Sequence, residues 1–223
     1  LSFTFYEVKD TSKVQEQKDT VRKKSKLSNI LVIGLISHTL FLGIVIIGQL
    51  DSKLFIQYRL TEWYGIGLTA TYLGWIVASS RSARIALNML FNKYYLKLKK
   101  YIAIILSSIL VIAFTLIIVG TIIPTDTWIK VLVMTIGFDL IIPLRDTFVI
   151  YMEDLLLKHS EKEQQQSLFT NLELLRKLGK VAMNLIISAL LLKVELSYIM
   201  WLFLILAIIE IGISYKIMKI RKI

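Results

Sequence analysis

Cysteine is absent from this chain, so neither a disulfide framework nor a thiolate metal site can form. The two histidines, His38 and His159, lie far apart, and no HExxH cluster is present to hold zinc and activate water. A GxSxG elbow is also missing, as is a GxxxxGK(S/T) phosphate cradle, so any ATP hydrolysis would have to come from another chain. There are only two prolines, Pro124 and Pro143, and no Pro-rich or Gly/Ser-rich low-complexity stretch or convincing internal repeat. The first 27 residues hold no apolar core between a basic start and a small-residue cleavage site, so no signal peptide is read there. These absences point to a conduit or carrier, not an enzyme, with no cofactor and no metal.

What the chain has is apolar surface. Its 223 residues are 56% hydrophobic and its mean hydropathy is +0.66, more than a water-soluble domain of this size could carry without large exposed patches. A lipid bilayer is the natural solvent. The net charge of +11 does not point to nucleic acid, because the basic residues flank the apolar stretches and form no single stripe. A hydrocarbon core about 30 Å thick needs roughly 20 helical residues per crossing. Six such runs occur, over approximately 28–50, 62–80, 101–123, 128–151, 172–192 and 196–215. The expected fold class is therefore an all-α membrane protein, a six-transmembrane-helix bundle over 28–223.

Lysine and arginine collect on alternate joints. Arg22, Lys23, Lys24 and Lys26 precede the first run, and Arg81, Arg84, Lys93, Lys97, Lys99 and Lys100 follow the second. Arg176, Lys177 and Lys180 mark the joint after the fourth, and Lys216, Lys219, Arg221 and Lys222 the tail. The joints at 51–61, 124–127 and 193–195 are short and nearly neutral. The positive-inside rule then predicts a multi-pass cell-membrane protein with both termini cytoplasmic. Trp63, Tyr64 and Trp128 fall at outer ends and Tyr94, Tyr95, Tyr101 and Tyr215 at inner ones, as interfacial belts would place them. Residues 1–27 read as the exit from a preceding apolar element followed by a charged cytoplasmic linker, so the expectation is a fragment or processed piece.

Within the membrane, small residues mark helix contacts, and Ala70, Gly74 and Ala78 make one such face. Lys180, Asn184 and Ser188 repeat at the same spacing on the fifth run, as a hydrogen-bonded seam or a cavity wall. The fourth run carries the chemistry. An aspartate at a helix centre costs roughly 2.5 to 3.5 kcal/mol on insertion scales. Asp139 lies roughly 14 to 17 Å below Trp128, near the midplane, and Asp146 near the inner boundary. Asp139, Asp146 and Glu153 are spaced by sevens, a drift of only about 20° per step, so they line one face as a plausible proton or cation path. Pro143 removes a backbone donor and clashes with the carbonyl of Asp139, predicting a kink beside that carboxylate. Arg145 and Asp146 serve either this path or pairing with neighbouring helices. His38, between Ser37 and Thr39, could titrate in an aqueous cavity or simply hydrogen-bond. Glu210 either pairs with a basic neighbour or snorkels. The candidate substrate or proton-coupling set is thus Asp139, Asp146, Arg145, His38 and Asn184.

The stretch GFDLIIPLRDTFVIYMEDLL, the polar joint KHSEKEQQQ and the run SLFTNLELLRKLGKVAMNLIISALL resemble the tenth helix, cytoplasmic loop and eleventh helix of a major facilitator superfamily transporter. LSFTFYEVKDTSKVQEQKDTVRKKSK is similar to the end of the sixth helix and the central loop of that family. The layout covers nearly the whole chain as a C-terminal six-helix half. The family's Gly, Asp and Arg/Lys signature reads here GWIVASSRSARIALNML, with Gly74 and Arg84 but no acid. The resemblance implies alternating access, a midplane site, and the N-terminal half of the same transporter or a second six-helix bundle as partner. It also implies export of a small amphipathic substrate. Two other classes stay open: a six-span permease subunit of an ATP-driven exporter, and a structural or immunity-type membrane protein that transports nothing.

Overall fold

The computed structural model describes residues 29–159 and 162–220, with the side chains of most of them. These residues form five helices and no strand: α1 Asn29–Leu98, α2 Ile102–Ile122, α3 Thr127–His159, α4 Lys162–Leu191 and α5 Leu196–Ile220. The described residues are all-α, as the long apolar runs predict. Among the described residues three stretches, not the six expected, are long and apolar enough to cross a membrane: α2 over Ile102–Ile122, α3 over Thr127–Asp154 and α5 over Leu196–Tyr215. The expected linker at 1–27 lies outside the described residues.

The first correction concerns the joint expected at 51–61. Those residues are helical, because DSKLFIQYRLTEWY contains neither glycine nor proline and nothing in it breaks an i→i−4 ladder. The break comes at Gly65, with φ 76° and ψ 172°, a region closed to side-chain-bearing residues. A Cβ there would meet no atom within 4 Å, so conformation rather than crowding demands the glycine. Across it the hydroxyls of Thr61 and Thr69 lie 3.3 Å apart, and the rings of Tyr64 and Tyr72 have centroids 4.7 Å apart. Residues eight apart on a straight helix are separated by about 12 Å. The chain therefore doubles back, and α1 is a helical hairpin with arms 29–64 and 66–98.

The other ends have local causes. Pro124 forces an extended residue before it, and Ile123 (φ −57°, ψ 128°) closes α2 with its amide on the Val119 carbonyl. The Asp126 carbonyl accepts the first turn of α3 from Ile129 and Lys130. Helix α3 runs through Pro143 as one helix, so the segment is not broken there.

Three contact series set the helix directions. The 29–64 arm lies antiparallel to α5, with Ser37 on Glu210, the Ser52 hydroxyl 3.8 Å from Met200 Sδ, and an Arg59 Nη 3.0 Å from the Ser197 hydroxyl. Helix α2 is antiparallel to α5, through Ser107 beside Ser214 and the stacked rings of Phe114 and Phe203 at 5.4 Å. It is also antiparallel to α3, where Gly120 and Gly137 admit close approach: a Cβ on Gly137 would sit 2.7 Å from the Ala113 carbonyl oxygen. The buried core follows from one stripe of α2, Leu106, Leu110, Ala113, Phe114 and Ile117, set against Met134, Ile141 and Phe203. The opposite side of α2 is equally apolar yet exposed at Ile112, Val119 and Ile122, as are Trp75, Leu132, Leu185 and Ile205 elsewhere. Apolar residues on both sides of a half-buried helix are what a lipid environment calls for.

Candidate functional site

The 66–98 arm lies beside α3, and polar pairs cross between them at nearly constant sequence offset. Ser79 donates to Asp139 at 3.3 Å; Arg84 and Asn88 meet Asp146; Tyr95 and Lys99 meet Asp154. A roughly constant offset means the two helices run parallel, so this seam carries its acids in order along its length. Asp139 and Asp146 thus share one face, as their spacing predicts. The third acid on the seam is Asp154; Glu153, expected in that place, is exposed and turns toward α4 instead.

The centre of the seam is a bidentate pair. Arg84 Nε donates to one Asp146 oxygen at 2.7 Å and Nη2 to the other at 3.0 Å, while Asn88 Nδ2 adds a third donor at 2.9 Å. The Asp146 carboxylate, through its hydrogen bonds and charge, pushes the Arg84 guanidinium further above its already high value. The basic GWIVASSRSARIALNML segment thus finds its carboxylate partner on α3. Lower on the seam Lys99 pairs with Asp154, and its ammonium also stands over the Tyr95 ring at 5.6 Å.

Asp139 differs from the other two acids. It is part-buried within the apolar stretch of α3, and among the described residues no cation pairs with it; its hydrogen-bond partner there is the Ser79 hydroxyl, whose single proton is shared with the Ile76 carbonyl. A carboxylate held this loosely at such a depth can gain and lose a proton, or accept a cation, without first breaking an ion pair.

The remaining expected residues are placed elsewhere. Arg145 is exposed beside Asp146 and adds only its field to that carboxylate. Asn184 and Ser188 stand exposed on α4 and make no described contact with the seam. His38 is in the helical part of the 29–64 arm, and its side chain lies outside those described. Glu210 is buried at 3% exposure on α5 and takes the Ser37 hydroxyl at 3.3 Å, a structural position rather than a snorkelling one. Sequence reasoning missed Ser79, Asn88 and Asp154 as seam residues. Their only available signal was a four-residue repeat of Arg84, Asn88 and, further on, Tyr95 and Lys99 on a segment read as a joint. No family model, curated protein or solved structure matches the chain.

Proposed function

We propose that the chain is a membrane transport protein, part of a secondary, ion-coupled transporter that exports a small amphipathic molecule by alternating access. Six helical crossings make up the bundle, the two arms of α1 and then α2 to α5, in the manner of the C-terminal half of a major facilitator superfamily transporter. Alternating helix directions, a hairpin turn flanked by Trp63 and Tyr64, and basic residues gathered at the opposite ends are consistent with that layout. The observation that carries the function is Asp139: a carboxylate at membrane depth, turned to a neighbouring helix and anchored by one 3.3 Å hydroxyl contact. Protonation removes its charge and weakens its hold on Ser79, which leaves the pairs at Asp146 and Asp154 to hold the 66–98 arm against α3. At the inner end the Arg84–Asp146 pair holds the same two helices together and forms the closure that must open and re-form in each cycle.

Asp139→Asn should insert and fold normally yet abolish proton-driven substrate movement in vesicles. Normal movement by this variant would remove Asp139 from the mechanism. A protonophore arm separates the classes: movement that survives collapse of the proton gradient and requires ATP from an added ATPase subunit identifies a permease of an ATP-driven exporter. Tags near Pro124 and beyond Arg221 should report opposite sides of the bilayer.

A further inference from the structure

Where α3 leaves its apolar stretch, a half-open cleft of about 310 Å³ lies between it and α4. Its floor and walls are apolar, from Met152 on α3 and Phe169 and Leu172 on α4. Its rim is charged, with Glu153, Glu173 and Arg176. Spacing explains the composition: Phe169, Leu172, Glu173 and Arg176 fall at i, i+3, i+4 and i+7, one face of α4, and each helix brings its apolar residue beside its acid.

The charges on this rim are not equivalent. Glu173 Oε1 is approached by Arg176 at 3.5 Å and by Lys177 at 3.3 Å, so it is already neutralised by its own helix. Arg176 is engaged in the same contact and is not free to hold an anion. Glu153 is exposed and, among the described residues, has no ion-pair partner. Glu153 is therefore the carboxylate at the cleft mouth without a counter-ion among the described residues, above an aromatic and a thioether surface. Phe169 offers a ring face to a cation, and Met152 adapts to irregular apolar shapes. Glu153 is adjacent to Asp154, the last residue of the apolar stretch of α3, so a ligand bound here keeps its charge at headgroup level and its apolar body in hydrocarbon.

We propose that this cleft binds an amphipathic organic monocation, with Glu153 as counter-ion and Met152, Phe169 and Leu172 enclosing the apolar part. This deepens the transport reading by naming the substrate class and a loading site at the membrane surface, and it rests on that reading only for the word loading. The probe is benzyltrimethylammonium, titrated into the purified full chain in a non-ionic detergent by calorimetry, with benzylsulfonate as a control of similar shape and opposite charge. Saturable binding of the cation is expected. Glu153→Gln should weaken it roughly two- to fivefold, the screened effect of one exposed charge, and Phe169→Ala should weaken it as well. Benzylsulfonate should bind far more weakly than the cation. Circular dichroism of each variant confirms its helix content, and Glu153 is exposed, so its replacement leaves the packing intact. Absence of saturable cation binding, equal binding of the sulfonate, or unchanged affinity in both variants overturns the assignment. Failure here while Asp139→Asn still blocks proton-driven movement removes the cleft and leaves the transporter. Binding that responds to Glu153→Gln while Asp139→Asn transports normally does the reverse.

Discussion

Removing the pair at the centre of the seam tests whether the 66–98 arm and α3 are held as one unit. Arg84 and Asp146 meet through two hydrogen bonds of 2.7 and 3.0 Å, and unit charges about 4 Å apart attract by about 4 kcal/mol at an effective dielectric near 20. Water reduces that figure, since the Arg84 side chain is 49% exposed and that of Asp146 28%. Fully exposed pairs contribute about 0.2 to 1 kcal/mol in double-mutant cycles, while bidentate geometry and the third donor from Asn88 raise this one above that range. A coupling energy of about 1.5 kcal/mol follows. Arg84→Ala should cost about 2 kcal/mol, because Asp146 keeps only Asn88. Asp146→Ala should cost about 1.5 kcal/mol, and the double variant about 2 kcal/mol, well short of the sum. Loss of helical signal on titrating dodecyl sulfate into mixed micelles reads these differences, and high salt should shrink the coupling by screening the exposed guanidinium. The reciprocal exchange of Arg84→Asp with Asp146→Arg should recover part of the loss. Additive single effects, within about 0.3 kcal/mol, would refute the pairing, since non-interacting sites add to within that margin.

Other substitutions separate backbone demands from packing. Gly65→Ala places a side chain at φ 76° and should destabilise by about 1 to 3 kcal/mol, seen as a lower thermal midpoint. Gly67→Ala and Gly74→Ala, where a Cβ meets nothing within 4 Å, should leave the midpoint unchanged or raise it. Gly137→Ala drives a Cβ to 2.7 Å from the Ala113 carbonyl and 2.9 Å from Ile117, so α2 and α3 must part, at about 1 to 3 kcal/mol in the same assay. A stabilised Gly137→Ala protein would mean that α2 and α3 do not approach this closely. Asp51 has a buried oxygen without a hydrogen-bond partner among the described residues, so Asp51→Leu should raise stability by roughly 1 kcal/mol. A lower midpoint for that variant would show that the carboxylate is held by something after all.

Helix ends that depend on local chemistry were legible in the sequence. The run read at 101–123 is α2 at Ile102–Ile122, and the run from 196 is α5 from Leu196, because Pro124 and the short polar joints act within a few residues of themselves. The 51–61 segment was not legible in this way. Hydropathy reports which solvent a residue prefers, whereas a helix ends only where the backbone cannot continue. Asp51, Lys53 and Arg59 are polar but good enough helix residues, so the arm runs on to the first glycine able to turn it back. The same confusion shortened the second run at 80 when its helix continues to Leu98.

The acids on α3 were legible and their partners were not, for a related reason. Spacing by sevens places 139 and 146 on a common face whatever surrounds the helix, because that is a property of one helix alone. Neighbouring positions 153 and 154 point about 100° apart, and only the position of a second helix decides which faces it. That helix is the 66–98 arm, brought alongside by one reversal at 99–101 and another between α2 and α3, so the contacts join residues 55 to 62 apart in sequence. Two reversals also explain why the arm and α3 run parallel and why Arg84, Asn88 and Lys99 can each find an acid at similar offset. Because Gly65 sets how the arm leaves the 29–64 helix, a change there acts on every pair of the seam at once, while a change at Arg84 acts on one. If the seam is a single sliding unit, Gly65→Ala should weaken the Arg84–Asp146 coupling measured in the double-mutant cycle even though Gly65 touches neither residue. Unaltered coupling in that background would mean that α3 positions the arm by itself and that the hairpin only delivers it.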